Sequence, residues 1–144
     1  MQRKNNFLLI VAILLMATYA YFFTDWFSAP RIQIISQLRP SGRGGVDPVS
    51  FSFDGLYRLT SVKVVPLTQY QTNKYATPIW HLVSPSNSAP IPGFLYGSPI
   101  RGMVPAVTNS HPAGLEPDTA YRLLVEAGKA RGHIDFHTRA VAQP

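Results

Sequence analysis

Four histidines and seven carboxylates are the groups best suited to acid–base or metal chemistry in this 144-residue chain, which has no cysteine. The absence of cysteine removes disulfides, thiolate metal sites and a cysteine nucleophile together. His133 and His137 stand four residues apart, a spacing that on a helix would turn both rings to one face as metal ligands. Here Ile134, Phe136 and Thr138 alternate with His133, Asp135 and His137, which is a strand pattern. Along a strand four residues cover about 13 Å, too far for one ion. His81 and His111 are isolated in the sequence and could share a site only through the fold. Asp54, Glu116 and Asp118 lie in turn contexts, the other acids are scattered, and neither G-x-S-x-G nor a Gly-rich phosphate loop occurs. No paired carboxylates and no nucleophile beside a base are legible. The expectation is a non-enzymatic protein without metal, cofactor or small-molecule substrate.

Two other sets of residues point to binding. Between residues 84 and 117 seven prolines interrupt every run, yet the segment carries Phe94, Leu95, Tyr96, Ile100, Met103 and Val104. A backbone so rich in proline cannot bury these side chains through regular pairing, so they read as a partner-docking surface; the alternative is that they cap their own domain. In the apolar N-terminal run, Ile13, Ala17, Ala20 and Thr24 recur at i, i+4, i+7 and i+11. Such a stripe of mostly small residues would let another helix pack closely, whereas a plain anchor would face lipid all round.

The element that must carry that stripe is residues 7–23, FLLIVAILLMATYAYFF, with no charge, Gly or Pro. As a helix it would be about 25 Å long, and with residues 24–28 it matches a hydrocarbon core of about 30 Å. Tyr19, Tyr21, Trp26 and Phe27 gather toward its C-terminal end, where aromatic rings favour the interface, and Pro30 stops the helix. A cleaved secretory signal competes with this reading. The run exceeds a usual h-region, however, and the best small-residue site, Thr18-Tyr19-Ala20, is followed by more aromatics. The expectation is an uncleaved transmembrane helix over residues 7–28. Arg3 and Lys4 precede it and Asp25 follows, so the positive-inside rule puts residues 1–6 in the cytoplasm and residues 29–140 outside, with 141–144 as a tail. In a bacterium this means the inner membrane and the periplasm.

The exported part, about 115 residues, suits one compact domain. Without Arg3 and Lys4 it holds 11 basic and 7 acidic residues, a mildly basic surface compatible with anionic headgroups or an acidic protein. Nucleic acid is not an expected partner, and the lone Gly42-Arg43-Gly44-Gly45 reads as a turn. Strands are expected over 31–38, 49–53, 56–65 and 79–83, with Val49, Phe51 and Phe53 inward and Ser50 and Ser52 outward, a turn at Asp54-Gly55 and a loop over 68–76. At most two short edge strands fit around 94–96 and 100–104. A C-terminal hairpin, 119–127 and 133–139 around the turn 128–132, completes about seven strands with no amphipathic helix, an antiparallel β-sandwich.

At Leu115, Pro117, Thr119, Tyr121, Leu123 and Val125 the chain resembles the fibronectin type III family, whose sixth strand opens L-x-P-x-T-x-Y-x-hydrophobic-x-V. The resemblance implies that Tyr121 forms a structural tyrosine corner, its hydroxyl bonded to upstream backbone. Residues 49–53 look like the family's second strand, though the usual tryptophan is replaced near Phe53, and the Pro-rich centre departs from the family's middle strands. The fold is a generic extracellular and periplasmic module and does not specify a function. Anchor, sandwich and apolar loop together fit an accessory subunit that stabilises a larger membrane complex, by analogy a photosynthetic or respiratory electron-transfer assembly. The alternative is a free-standing cell-envelope binding module recognising a glycan or protein partner, with Trp80 and the tyrosines as stacking groups.

Overall fold

The computed structural model describes residues 2–23, 29–41 and 45–141. Thr24, Trp26, Phe27 and the rest of the span expected over 24–28, the turn residues 42–44 and the last three residues of the tail lie outside the described residues. The apolar run forms α1 (Gln2–Phe23), 22 residues long, with no buried residue. It is long and apolar enough to cross a membrane, a test that a signal sequence also passes.

The domain is built from eight strands among the described residues: β1 (Ile34–Leu38), β2 (Val49–Tyr57), β3 (Ser61–Pro66), β4 (Trp80–Val83), β5 (Ile91–Leu95), β6 (Val104–Pro105), β7 (Ala120–Ala127) and β8 (Ala130–His137). They pair antiparallel in two sheets, ordered β1-β2-β5 and β6-β4-β3-β7-β8. Alternation decides what fills the space between them. Val62 and Val64 of β3, Leu82 of β4 and Tyr121, Leu123 and Val125 of β7 are buried, and they meet Val49 and Phe51 from the other sheet. The Phe51 ring lies 5.4 Å from Phe94 and 5.1 Å from Phe136, stitching β2, β5 and β8 together. Buried polar groups are paired, as they must be in a low-dielectric core. Thr138 Oγ1 donates to Glu116 O at 2.5 Å and accepts from Thr119 N at 3.0 Å, and Ser88 Oγ accepts from Leu59 N at 2.7 Å.

Four local expectations are corrected. Asp54-Gly55 is not a turn: β2 runs on to Tyr57, with a register shift between Ser52 and Tyr57 that absorbs the irregularity as a bulge, and the chain reverses only at residues 58–60. Ser50, expected outside, is buried, because β2 is the central strand of its sheet and Ser50 lies in register between Gln37 of β1 and Leu95 of β5, donating to Gln37 O at 3.3 Å. Residues 68–76 are not all loop, since α2 (Leu67–Thr72) follows Pro66, whose φ of −61° suits a helix entry. The C-terminal hairpin turns on two residues instead of five, with Gly128 at φ +62°, the first loop position, where a type II′ turn calls for glycine.

Residues 30–32, at the start of the domain, are tied down to it. Arg131 N donates to Pro30 O at 3.1 Å and Ile32 N donates to Arg131 O at 2.9 Å, so residues 30–32 run along the free edge of β8. Gly132 permits this approach, because a Cβ there would press on the Ile32 carbonyl. An otherwise open sheet edge is thereby covered.

Candidate functional site

Of the two readings of the Pro-rich segment, a docking surface and a cap on its own domain, the packing of most of its apolar set fits the second. Ile100 is in the core, only 6% exposed, and Phe94, Tyr96 and Met103 pack against that core. Trp80 sits 5.8 Å from the Phe94 ring and 5.1 Å from that of Tyr96. Tyr96 donates its hydroxyl to Ala113 O at 2.6 Å, and burial pushes its pKa up. Leu95 is half-buried, and Val104 alone of the set is largely exposed, at 51%. The reason is geometric. Gly97 and Gly102, both at positive φ, let the backbone fold back on itself, with Ser98 N donating to Leu95 O and Met103 N to Ile100 O, so a proline-rich chain buries its apolar groups without long strands.

In the helix, Ile13, Ala17 and Ala20 are exposed and none packs against the domain core, and Thr24 lies outside the described residues. Tyr121 is buried against Phe136, ring centroids 5.7 Å apart, and its hydroxyl accepts from Glu116 N at 2.9 Å. His133 and His137 lie on β8 on its exposed side, as the alternation predicts. His81 and His111, unconnected in the sequence, border one small cavity of about 200 Å³ beside Trp80 and Met103. Among the described residues no group of three or more His, Cys, Asp or Glu side chains is placed to hold a metal.

A concave surface lies on the outer face of the five-stranded sheet. Because Val62, Leu82, Leu123 and Val125 point inward, their neighbours point out. The cross-strand register then sets His81, Lys63, Leu124 and His133 in one row across β4, β3, β7 and β8. The next row holds Val83, Ser61, Glu126 and Arg131. Residues 29–33 wall one side and residues 70–78, from α2 onward, contribute the other, enclosing a groove of about 960 Å³. Arg31, Lys63, Lys74 and Arg131 line it, against one acid, Glu126. Of these four cations only Arg131 has a carboxylate within 4.0 Å among the described residues, Glu126 at 3.7 Å, and both side chains are well exposed. Burial, and then the charge of Lys63, lower the pKa of His81.

One end of the sheet face is closed by an ion pair. Arg122 binds Asp135 in bidentate fashion, at 2.5 and 2.7 Å, and its guanidinium lies 5.0 Å from the Tyr70 ring centroid, which holds α2 over β7. Hydrogen bonding to Arg122 lowers the pKa of Asp135 and raises that of Arg122. No single run of the sequence displays the groove, because its residues are dispersed from position 29 to position 133; the signal that could have found them was the polar alternate positions of β3, β4, β7 and β8 considered together. Neither a family model, nor a curated protein, nor a solved structure matches the chain.

Proposed function

We propose that this chain is a non-enzymatic, single-span accessory subunit of a larger membrane complex, held in a bacterial inner membrane by α1 with its sandwich in the periplasm. The observation that carries this reading is the helix. Over 22 residues it buries nothing in its own chain, so its whole apolar surface, including Ile13, Ala17 and Ala20, is available to lipid and to a neighbouring helix. The domain's conspicuous polar groups support a structural role, since Thr138, Ser88 and Arg122 are engaged in holding strands and loops together. The finer likeness to fibronectin type III is supported by the two-sheet division and by the bond from Glu116 N to the Tyr121 hydroxyl, the kind of bond a tyrosine corner makes.

Purification in mild detergent tests the reading. The chain is expected to migrate with a multi-subunit assembly, and Ala17→Leu with Ala20→Leu is expected to loosen that association, because two bulky side chains hold a partner backbone away. A lone monomer, or full retention of the doubly substituted chain in the assembly, would count against docking through this stripe.

A further inference from the structure

The basic groove and the membrane helix are joined through the same piece of chain. The span derived from the sequence ends at residue 28, and the wall of the groove begins at Ala29. Even measured from Phe23, the end of the described helix, Ala29 is six residues on, at most about 21 Å of extended chain. The bonds from Arg131 to Pro30 and Ile32 then fix that wall to β8, so the linker cannot swing free of the sheet. A headgroup layer extends roughly 5–8 Å beyond the hydrocarbon on each side. Counted from residue 28 the groove wall starts at the headgroup layer, and counted from Phe23 it stays within about 21 Å of the hydrocarbon; the groove carries Arg31, Lys63 and Lys74 with no carboxylate partner among the described residues.

From this we infer that the groove on the outer face of β4-β3-β7-β8 binds the phosphate of anionic phospholipid headgroups in the bilayer that α1 crosses, clamping the sandwich onto the membrane surface. The chemistry is charge pairing to a phosphodiester, with Lys63 and Lys74 approaching from the sheet and from the segment after α2, and Arg31 from the linker. The row of His81 and His133 adds ring N–H donors on either side of Lys63 and Leu124. An acidic protein segment would meet the same cations, but it would have to be brought to the groove, whereas the lipid is supplied by the chain's own anchor at high local concentration. The inference rests on the membrane reading of α1.

The test uses the full chain in neutral phosphatidylcholine bicelles, followed by amide NMR while phosphatidylglycerol replaces part of the lipid. A water-soluble paramagnetic probe reports in the same samples whether α1 amides are protected. The expected result is saturable shifts at Lys63, Lys74 and Arg131. Lys63→Gln with Lys74→Gln should weaken the apparent affinity about 25-fold, taking about fivefold for each cation near an anionic surface. Arg139→Gln, past the end of β8 opposite to the Pro30 contact and outside the groove lining, should leave it unchanged. Inorganic phosphate and glycerol phosphate, added to neutral bicelles, should bind at least tenfold more weakly than the lipid; equal binding would assign the site to a soluble phosphate and overturn the lipid clamp. Poly-glutamate that displaces phosphatidylglycerol at lower concentration would overturn it in favour of an acidic protein. Protected α1 amides without groove shifts, or shifts indifferent to the lysine substitutions, overturn the inference alone. Unprotected α1 amides overturn the membrane reading and the inference with it.

Discussion

Two side chains on the outer sheet face give the domain a specific dependence on pH. His81 has its pKa lowered from 6.5 by burial and by Lys63, so the folded state takes up its proton less readily than the unfolded chain. The stability this contributes is present above 6.5 and is lost as pH falls from there through the lower folded value. Asp135, lowered from 3.8 chiefly by its bond to Arg122, behaves likewise in a more acidic window. Urea unfolding of the full chain in neutral detergent, repeated across pH, should therefore show two declines. His81→Gln should flatten the decline between about pH 7 and 5. Asp135→Asn should cost about 0.5–1 kcal/mol at pH 7, discounted for solvent screening of a partly exposed pair, and its curve should converge on the parent's below about pH 3.8. If both variants keep the parent's slope throughout, neither group is the source.

The elements that alternate cleanly were legible; those set by long-range pairing were not. Tyr121, Leu123 and Val125 face the core as the two-residue period requires. The β2–β3 boundary was misplaced because Asp54-Gly55 has turn chemistry, while cross-strand pairing to Ile91 carries the strand through it as a bulge. At six residues α2 is too short to show a helical period. The linker along β8 depends on Gly132, where a Cβ would press on Ile32 O and the Ile32 side chain. Gly132→Ala should thus lower domain stability by about 1–3 kcal/mol, the range for overpacking. It should also speed amide exchange at Ile32 and Arg131 ahead of β3 and β7. Unaltered exchange at Ile32 would show that the linker does not need this close approach.

At the scale of the whole molecule, α1 meets the membrane test by length and composition, and a direct check is retention. Leu15→Arg with Met16→Arg should release the chain from membranes on alkaline extraction, since each arginine near the centre of a span costs about 2.5–3.5 kcal/mol on the insertion scale. Continued retention of that variant would mean the chain is held by something other than α1. The sequence by itself determined the apolar helix, the antiparallel β character of the domain C-terminal to it and the inward set of Tyr121, Leu123 and Val125, because the first is written in an unbroken apolar run and the others in a local period of two residues. Only the tertiary structure decided that Phe94, Tyr96, Ile100 and Met103 turn inward, and that Arg31, Lys63, Lys74 and Arg131 line one groove. Those outcomes depend on which strands pair and on where the linker crosses an edge, and such contacts join residues far apart in the chain that no local pattern relates.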